Sequence, residues 1–315
     1  MHASPRLAAS ALDPAATRLV RLLDGRAAEA PPLAFTPLAR APEPVAAAVD
    51  GSHAVLADGR SLLAGAWRAA AVRTAPGAAP RVVREAGIEI LTEEDATKVE
   101  APPGASGLGW LLEARRAEAE VALARRALEG LPSGSVLLLD GPLAWRDPAP
   151  SRAAFEALLA DAAARRVDVV GVCKSTALAV GAEPALAHVR RRARAEAPEG
   201  PWFAPLPVQP GRALAVAYAA RLDAAQRWLF RHDVAPAPGR TAADALASLV
   251  PLAGTATYPG YPFPLALAHN SATMGEAESS DLKAALRARA EAFGLEAEAW
   301  EAAFGDYHDV LEGGA

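Results

Sequence analysis

The chain has 315 residues, 52% hydrophobic and 22% charged, enough apolar material for a sizeable core and too much for a mainly disordered protein. Mean hydropathy is +0.10, and no apolar run approaches the roughly 18 residues of a membrane span, so a membrane protein is not expected. The net charge of −5 excludes a strongly basic, purely electrostatic nucleic-acid binder, and the single Cys173 excludes a disulfide framework or a Cys-rich zinc site.

In chain order, residues 14–29 are amphipathic and predict a helix. Pro31, Pro32, Pro37, Pro42 and Pro44 then make an extended arm, so that 1–44 forms an N-terminal helix and proline-rich segment. Residues 45–56 predict a strand, Asp58-Gly59 a hairpin turn, 61–75 a second strand and 81–91 a third. Residues 108–128 predict a helix that stops at Gly130, with Pro132 beyond. The wholly apolar segment 135–139 reads as a buried central strand, 151–166 as a helix and 167–172 as a second buried strand. An antiparallel meander followed by a βαβ unit describes a mixed α/β sheet with helices on both faces.

Residues 181–212 read as an irregular basic insertion, with Arg190, Arg191, Arg192 and Arg194 followed by four prolines. Strands are expected at 212–222 and 227–232, and helices at 241–252, 264–273, 280–292 and 296–311. From Met274 onward there are ten acids and three bases, a charge of −7, against 29 bases and 27 acids, or +2, in the rest. Residues 276–315 thus form an acidic helical tail, either a solvated face or a docking surface. The core would be 45–275. The first residues lack the basic-then-apolar layout of a secretory signal, which, with one cysteine, points to the cytoplasm.

The usual phosphate-binding and hydrolase signatures are missing: no Gly-x-x-x-x-Gly-Lys-Ser/Thr, no Gly-x-Gly-x-x-Gly after a strand, no Gly-x-Ser-x-Gly and no His-Glu-x-x-His. What remains is one pattern twice: an apolar strand running into Asp50-Gly51 and another into Asp140-Gly141. Each alone is an ordinary turn. Together they place two carboxylates at the ends of buried strands, where burial is costly unless they are paired or hold a metal. Oxygen ligands of this kind suit Mg²⁺ or Mn²⁺. A third acid is available from Glu113, Glu118, Glu120 or Glu129 on the intervening helix. His269 follows Tyr261-Pro262-Phe263-Pro264 by a turn and a half of helix, as a core histidine, a metal ligand or a proton-transfer group. Lys174 ends the second buried strand, as a solvated strand-end lysine or a phosphate contact, and Arg190, Arg191, Arg192 and Arg194 suit either an exposed helix face or sequence-independent contacts to a phosphate backbone.

These motifs in this order resemble the NurA nucleases: Asp50-Gly51-Ser52, a helical glutamate, Asp140-Gly141-Pro142-Leu143, Gly171-Val172-Cys173-Lys174-Ser175, and Tyr261-Pro262 followed by His269. The resemblance implies an RNase H-like core and a Mn²⁺-dependent deoxyribonuclease, with Mg²⁺ as the alternative ion. By that resemblance Asp50, Glu120, Asp140 and His269 hold the metal and Tyr261 sits beside it. It also implies a homodimer, single-strand endonuclease and 5′–3′ exonuclease activity, and action in double-strand break repair beside a HerA-type hexameric helicase. Two other readings stay open from the residues: an RNase H-like ATPase, and a non-catalytic scaffold for a helicase.

Overall fold

The computed structural model describes residues 32–305 except 100, 102–103, 106, 144–149, 208 and 210–213, together with 14, 16–18 and 20. The predicted helix 14–29 lies mostly outside the described residues; those described within it are helical. The predicted terminal segment 306–311 lies outside them as well.

The elements in chain order are β1 (Thr36–Pro37), β2 (Ala46–Asp58), β3 (Leu62–Thr74), β4 (Arg81–Thr92), α1 (Glu93–Thr97), α2 (Gly109–Glu129), β5 (Val136–Asp140), α3 (Pro150–Arg165) and β6 (Asp168–Cys173). A two-stranded hairpin, β7 (Ala179–Val180) and β8 (Glu183–Pro184), precedes α4 (Ala185–Glu196). Then come β9 (Trp202–Pro205), β10 (Val216–Arg221), β11 (Phe230–Ala235), α5 (Ala242–Leu249) with a 3₁₀ turn at Val250–Leu252, α6 (Phe263–Ala272), α7 (Glu276–Ala292) and α8 (Ala297–Phe304). One sheet has the order β1-β9-β10-β11-β6-β5-β2-β3-β4. β2, β3 and β4 form the antiparallel meander, β2, β5 and β6 run parallel, and β11 returns antiparallel on β6.

Alternation divides the central strands between two cores. Ala46, Ala48, Val136, Leu138, Val170 and Val172 point to one face, under α5 and α6. Ala47, Val49, Leu137 and Val169 point to the other, under α2 and α3 through Leu123, Leu128, Leu158 and Ala162. This period of two settles which chemistry each helix meets.

Three sequence expectations need correction. The described part of the segment expected to be irregular, 181–212, is largely regular: β8 of the hairpin, α4 and β9 lie within 183–205. The arginine run concealed an amphipathic helix whose inward side is Ala185, His188 and Val189, at helical spacing. The strand expected at 227–232 lies at Phe230–Ala235, paired with β6. α1 was missed, although Thr92 and Asp95 form a reciprocal capping box around it. The acidic helices α7 and α8 pack against the far ends of β2 and β3, where Trp300, Leu282 and Leu286 meet Leu56, Ala64 and Ala66. Among the described residues, no helix is long and apolar enough to cross a membrane.

Candidate metal centre

The alternation that buries Ala46 and Ala48 carries Asp50 onto the same face at the end of the parallel pairing, one residue beyond the Val49–Leu139 match. The same count places Asp140 after Val136 and Leu138, and Lys174 after Val170 and Val172 as the first residue past β6. Three neighbouring strands thus deliver two carboxylates and an ammonium to one edge, the carboxyl ends of a parallel sheet, where open α/β sheets hold ligands.

α6 brings the fourth group. Leu265, Ala268 and Ala272 are buried at helical spacing, and the small Ala266 and Ala268 let the helix lie close to the sheet. His269 follows that stripe and emerges at the strand ends. Its Nδ1 faces Asp50 Oδ2 at 2.7 Å and Lys174 Nζ at 3.4 Å. A protonated Nδ1 donates to Asp50; a bare one accepts from Lys174, so the tautomer selects the partner. Lys174 Nζ donates to Asp140 Oδ2 at 2.8 Å, and the Tyr261 hydroxyl donates to Asp140 Oδ1 at 3.2 Å. Tyr261 is itself fixed by an edge-on contact with Phe230, ring centroids 5.5 Å apart.

Burial raises the Asp50 carboxyl above the usual carboxylate range. The charge of Asp140 adds to the rise, against the hydrogen bonds from His269 and the Gly51 amide. Burial, then the charges of Asp140 and Asp50, push the Tyr261 phenol far above its ordinary value, so at neutral pH it keeps the proton it donates to Asp140. Asp50, Asp140 and His269 each offer one ligand atom, and these lie within 4.8 Å of one another. Two carboxylate oxygens and an imidazole nitrogen at that spacing fit a divalent metal ion.

Glu120 stands apart from this trio. It projects from α2, on the opposite face of the sheet, against Gly51, and its carboxylate pairs with the buried Arg116 one turn earlier. A Cβ at position 51 would overlap that carboxylate, so glycine after Asp50 is what admits Glu120 to the strand backbone. Glu118 pairs with Arg115 instead. Gly141, after the second acid, has φ 108°, a turn conformation that a side chain would strain, and its amide binds Val172 O at 2.9 Å.

Of the basic residues expected to meet DNA, Lys174 lies in the cluster. Arg190 and Arg194 are exposed on α4, whereas Arg191 is tied to Glu183 at 2.9 Å and Arg192 to Glu196 at 2.5 Å. Sequence reasoning missed Arg116, which the spacing of four from Glu120 signals, and Trp228, an indole next to Arg227 in a polar loop. The cluster opens into a cavity of about 750 Å³ lined by Lys174, Tyr261, His269, Trp228, Phe230 and Tyr258 among others.

No family model and no curated protein matches the chain. Solved structures do. The NurA nuclease from Sulfolobus solfataricus is 14% identical, with a TM-score of 0.60 over 91% of this chain and 95% of that one. A second NurA structure has a TM-score of 0.63 at 11% identity, covering 92% of this chain and all of that one. NurA bound to dAMP and manganese has a TM-score of 0.63 at 10% identity, over 92% and 98%. The chain therefore has a NurA-like fold.

Proposed function

We infer that this protein is a divalent-metal-dependent DNA nuclease of the NurA type. The observation that carries the inference is the convergence of Asp50, Asp140 and His269, separated by up to 219 positions, into one set of ligand atoms within 4.8 Å. The NurA-like fold supports it, and the NurA structure described with dAMP and manganese supports Mn²⁺, with Mg²⁺ as the alternative. The order β4-β3-β2-β5-β6, a meander followed by two parallel strands, supports the RNase H-like reading of the core. Asp50, Asp140 and His269 would hold the ion, with Glu120 as the third acid from α2.

When bound, the ion supplies Lewis acidity at a phosphoryl oxygen. The chain's own groups do the rest. Lys174 offers a point charge to a non-bridging phosphate oxygen, at the cost of its bond to Asp140. Tyr261, kept protonated, holds Asp140 in place. His269 Nδ1 orients Asp50, and a ring nitrogen of His269 without a proton would ligate the ion. Finer elements of the proposal are single-strand endonuclease and 5′–3′ exonuclease activity, a homodimer, and work in the cytoplasm beside a HerA-type hexameric helicase in double-strand break end resection.

The test is a gel of end-labelled single- and double-stranded DNA incubated with the protein, with and without Mn²⁺ or Mg²⁺. Metal-dependent cleavage that disappears in Asp50→Asn and Asp140→Asn is expected. Undiminished cleavage by either variant, or no cleavage by the native chain with either ion, overturns the assignment.

A further inference from the structure

Two cavities share one tryptophan. The first is the 750 Å³ cavity that opens from the carboxylate cluster. The second, about 520 Å³, runs along α4 and is lined by Arg190, Arg194 and Arg221. Arg227 and Trp228 line both. Trp228 is 70% exposed, a large apolar surface that folding leaves in water. Its loop is nonetheless braced. Gln226 accepts from Leu222 N at 2.8 Å and donates to Ala220 O at 3.2 Å and to Trp228 O at 2.6 Å. The Arg190 guanidinium lies 5.7 Å from the indole centroid. Along the two linings there are five bases, Lys174, Arg190, Arg194, Arg221 and Arg227, and one acid, Glu199. That concentration of positive charge stands out in a chain of net charge −5.

A rigid exposed ring flanked by cations recognises a polyanion whose flat groups are uncovered: an unpaired nucleic-acid strand. We propose that Trp228 is a stacking platform on a single-stranded DNA track, running from α4 over the β10–β11 loop into the carboxylate cluster. The proposal rests on the nuclease reading above and adds its path and its preference. A base of the unpaired strand lies on the indole, and Arg190 and Arg194 meet the phosphates. A duplex keeps its bases stacked inward and offers Trp228 nothing, so the track favours unpaired strands.

The test is fluorescence anisotropy of a labelled oligothymidylate of about 12 nucleotides in EDTA, so that binding is read without cleavage. Trp228→Ala is expected to weaken binding at least about fivefold, the loss of one stacked base, and Trp228→Phe to hold it within about threefold. Arg190→Ala should lower the salt slope by about 0.7, one phosphate contact on a single strand. An abasic oligomer of the same length should bind the native chain and Trp228→Ala alike. An unchanged affinity in Trp228→Ala overturns the track, as does an equal loss toward the abasic oligomer. Trp228-dependent binding without cleavage in any metal would remove the nuclease reading and keep the track. Cleavage of single strands with unaltered KM in Trp228→Ala would do the reverse.

Discussion

The two ends of the central parallel strands carry carboxylates in opposite circumstances. At the amino end, Asp168 begins β6 and is 1% exposed. Arg240 Nε reaches its two oxygens at 3.2 and 2.9 Å, and the Ala237 amide donates at 2.9 Å. One negative charge meets one guanidinium and one amide, and nothing is left over. At the carboxyl end, Asp50 and Asp140 share one ammonium, one imidazole and one phenol, and burial and then the charge of Asp140 raise the pKa of Asp50. Arg231 and Asp233 on β11 repeat the balanced case, at 2.7 and 2.6 Å. A neutralised acid ties the fold together. Acids gathered beyond the local supply of positive charge attract a cation from outside.

The sharpest break of this comparison is substitution at each end. Asp50→Asn or Asp140→Asn should lower cleavage at least about 10³-fold, several kcal/mol of lost Lewis-acid stabilisation, with an unchanged circular dichroism spectrum. Asp168→Ala should leave the turnover number alone and reduce stability by about 1–3 kcal/mol in urea, because it orphans the Ala237 amide and the Arg240 guanidinium. Loss of activity in folded Asp168→Ala would dissolve the distinction between the two ends.

A smaller effect follows from mass action. Mn²⁺ at about 100 times its dissociation constant should stabilise the native chain by about 2.7 kcal/mol, read from the urea midpoint. Asp168→Ala should keep that gain and Asp50→Asn should lose it. An equal gain in both would place the ion elsewhere.

The smallest effect is a pH slope in EDTA. Asp50 holds its proton to higher pH in the folded chain than in the unfolded one. Between its unfolded and folded values the native state binds the extra proton, so its contribution to stability falls as pH rises through that window and levels off above it. The urea midpoint of the native chain minus that of Asp50→Asn isolates this slope from the other acids. A difference that rises with pH through the window contradicts the assignment.

Much of this was legible in the chain. The small and β-branched residues of 45–56, the turn at Asp58-Gly59, the alternation from Ile88, the apolar segments 135–139 and 167–172, and the stop at Gly130 located the meander and the βαβ unit, because local composition, period and turn chemistry suffice for such elements. The repeated acid-glycine pattern marked Asp50 and Asp140, and Pro264 marked the start of the helix that bears His269. α4 was not legible, since its inward side consists of one alanine, one histidine and one valine amid arginines. Trp228 was not, since exposure is a property of what packs beside a residue.

The meander followed by the βαβ unit, the two acids at strand ends and the residue types for a divalent ion were therefore determined by sequence alone, through interactions a few residues long. Only tertiary structure decided that Lys174 enters the cluster, that Arg191 is spent on Glu183, and that Glu120 approaches from the opposite face beside Gly51. The reason is physical: the sheet's register sets which strand ends adjoin, and helix packing sets which face each side chain reaches. Both are long-range, and no local window of the chain contains them.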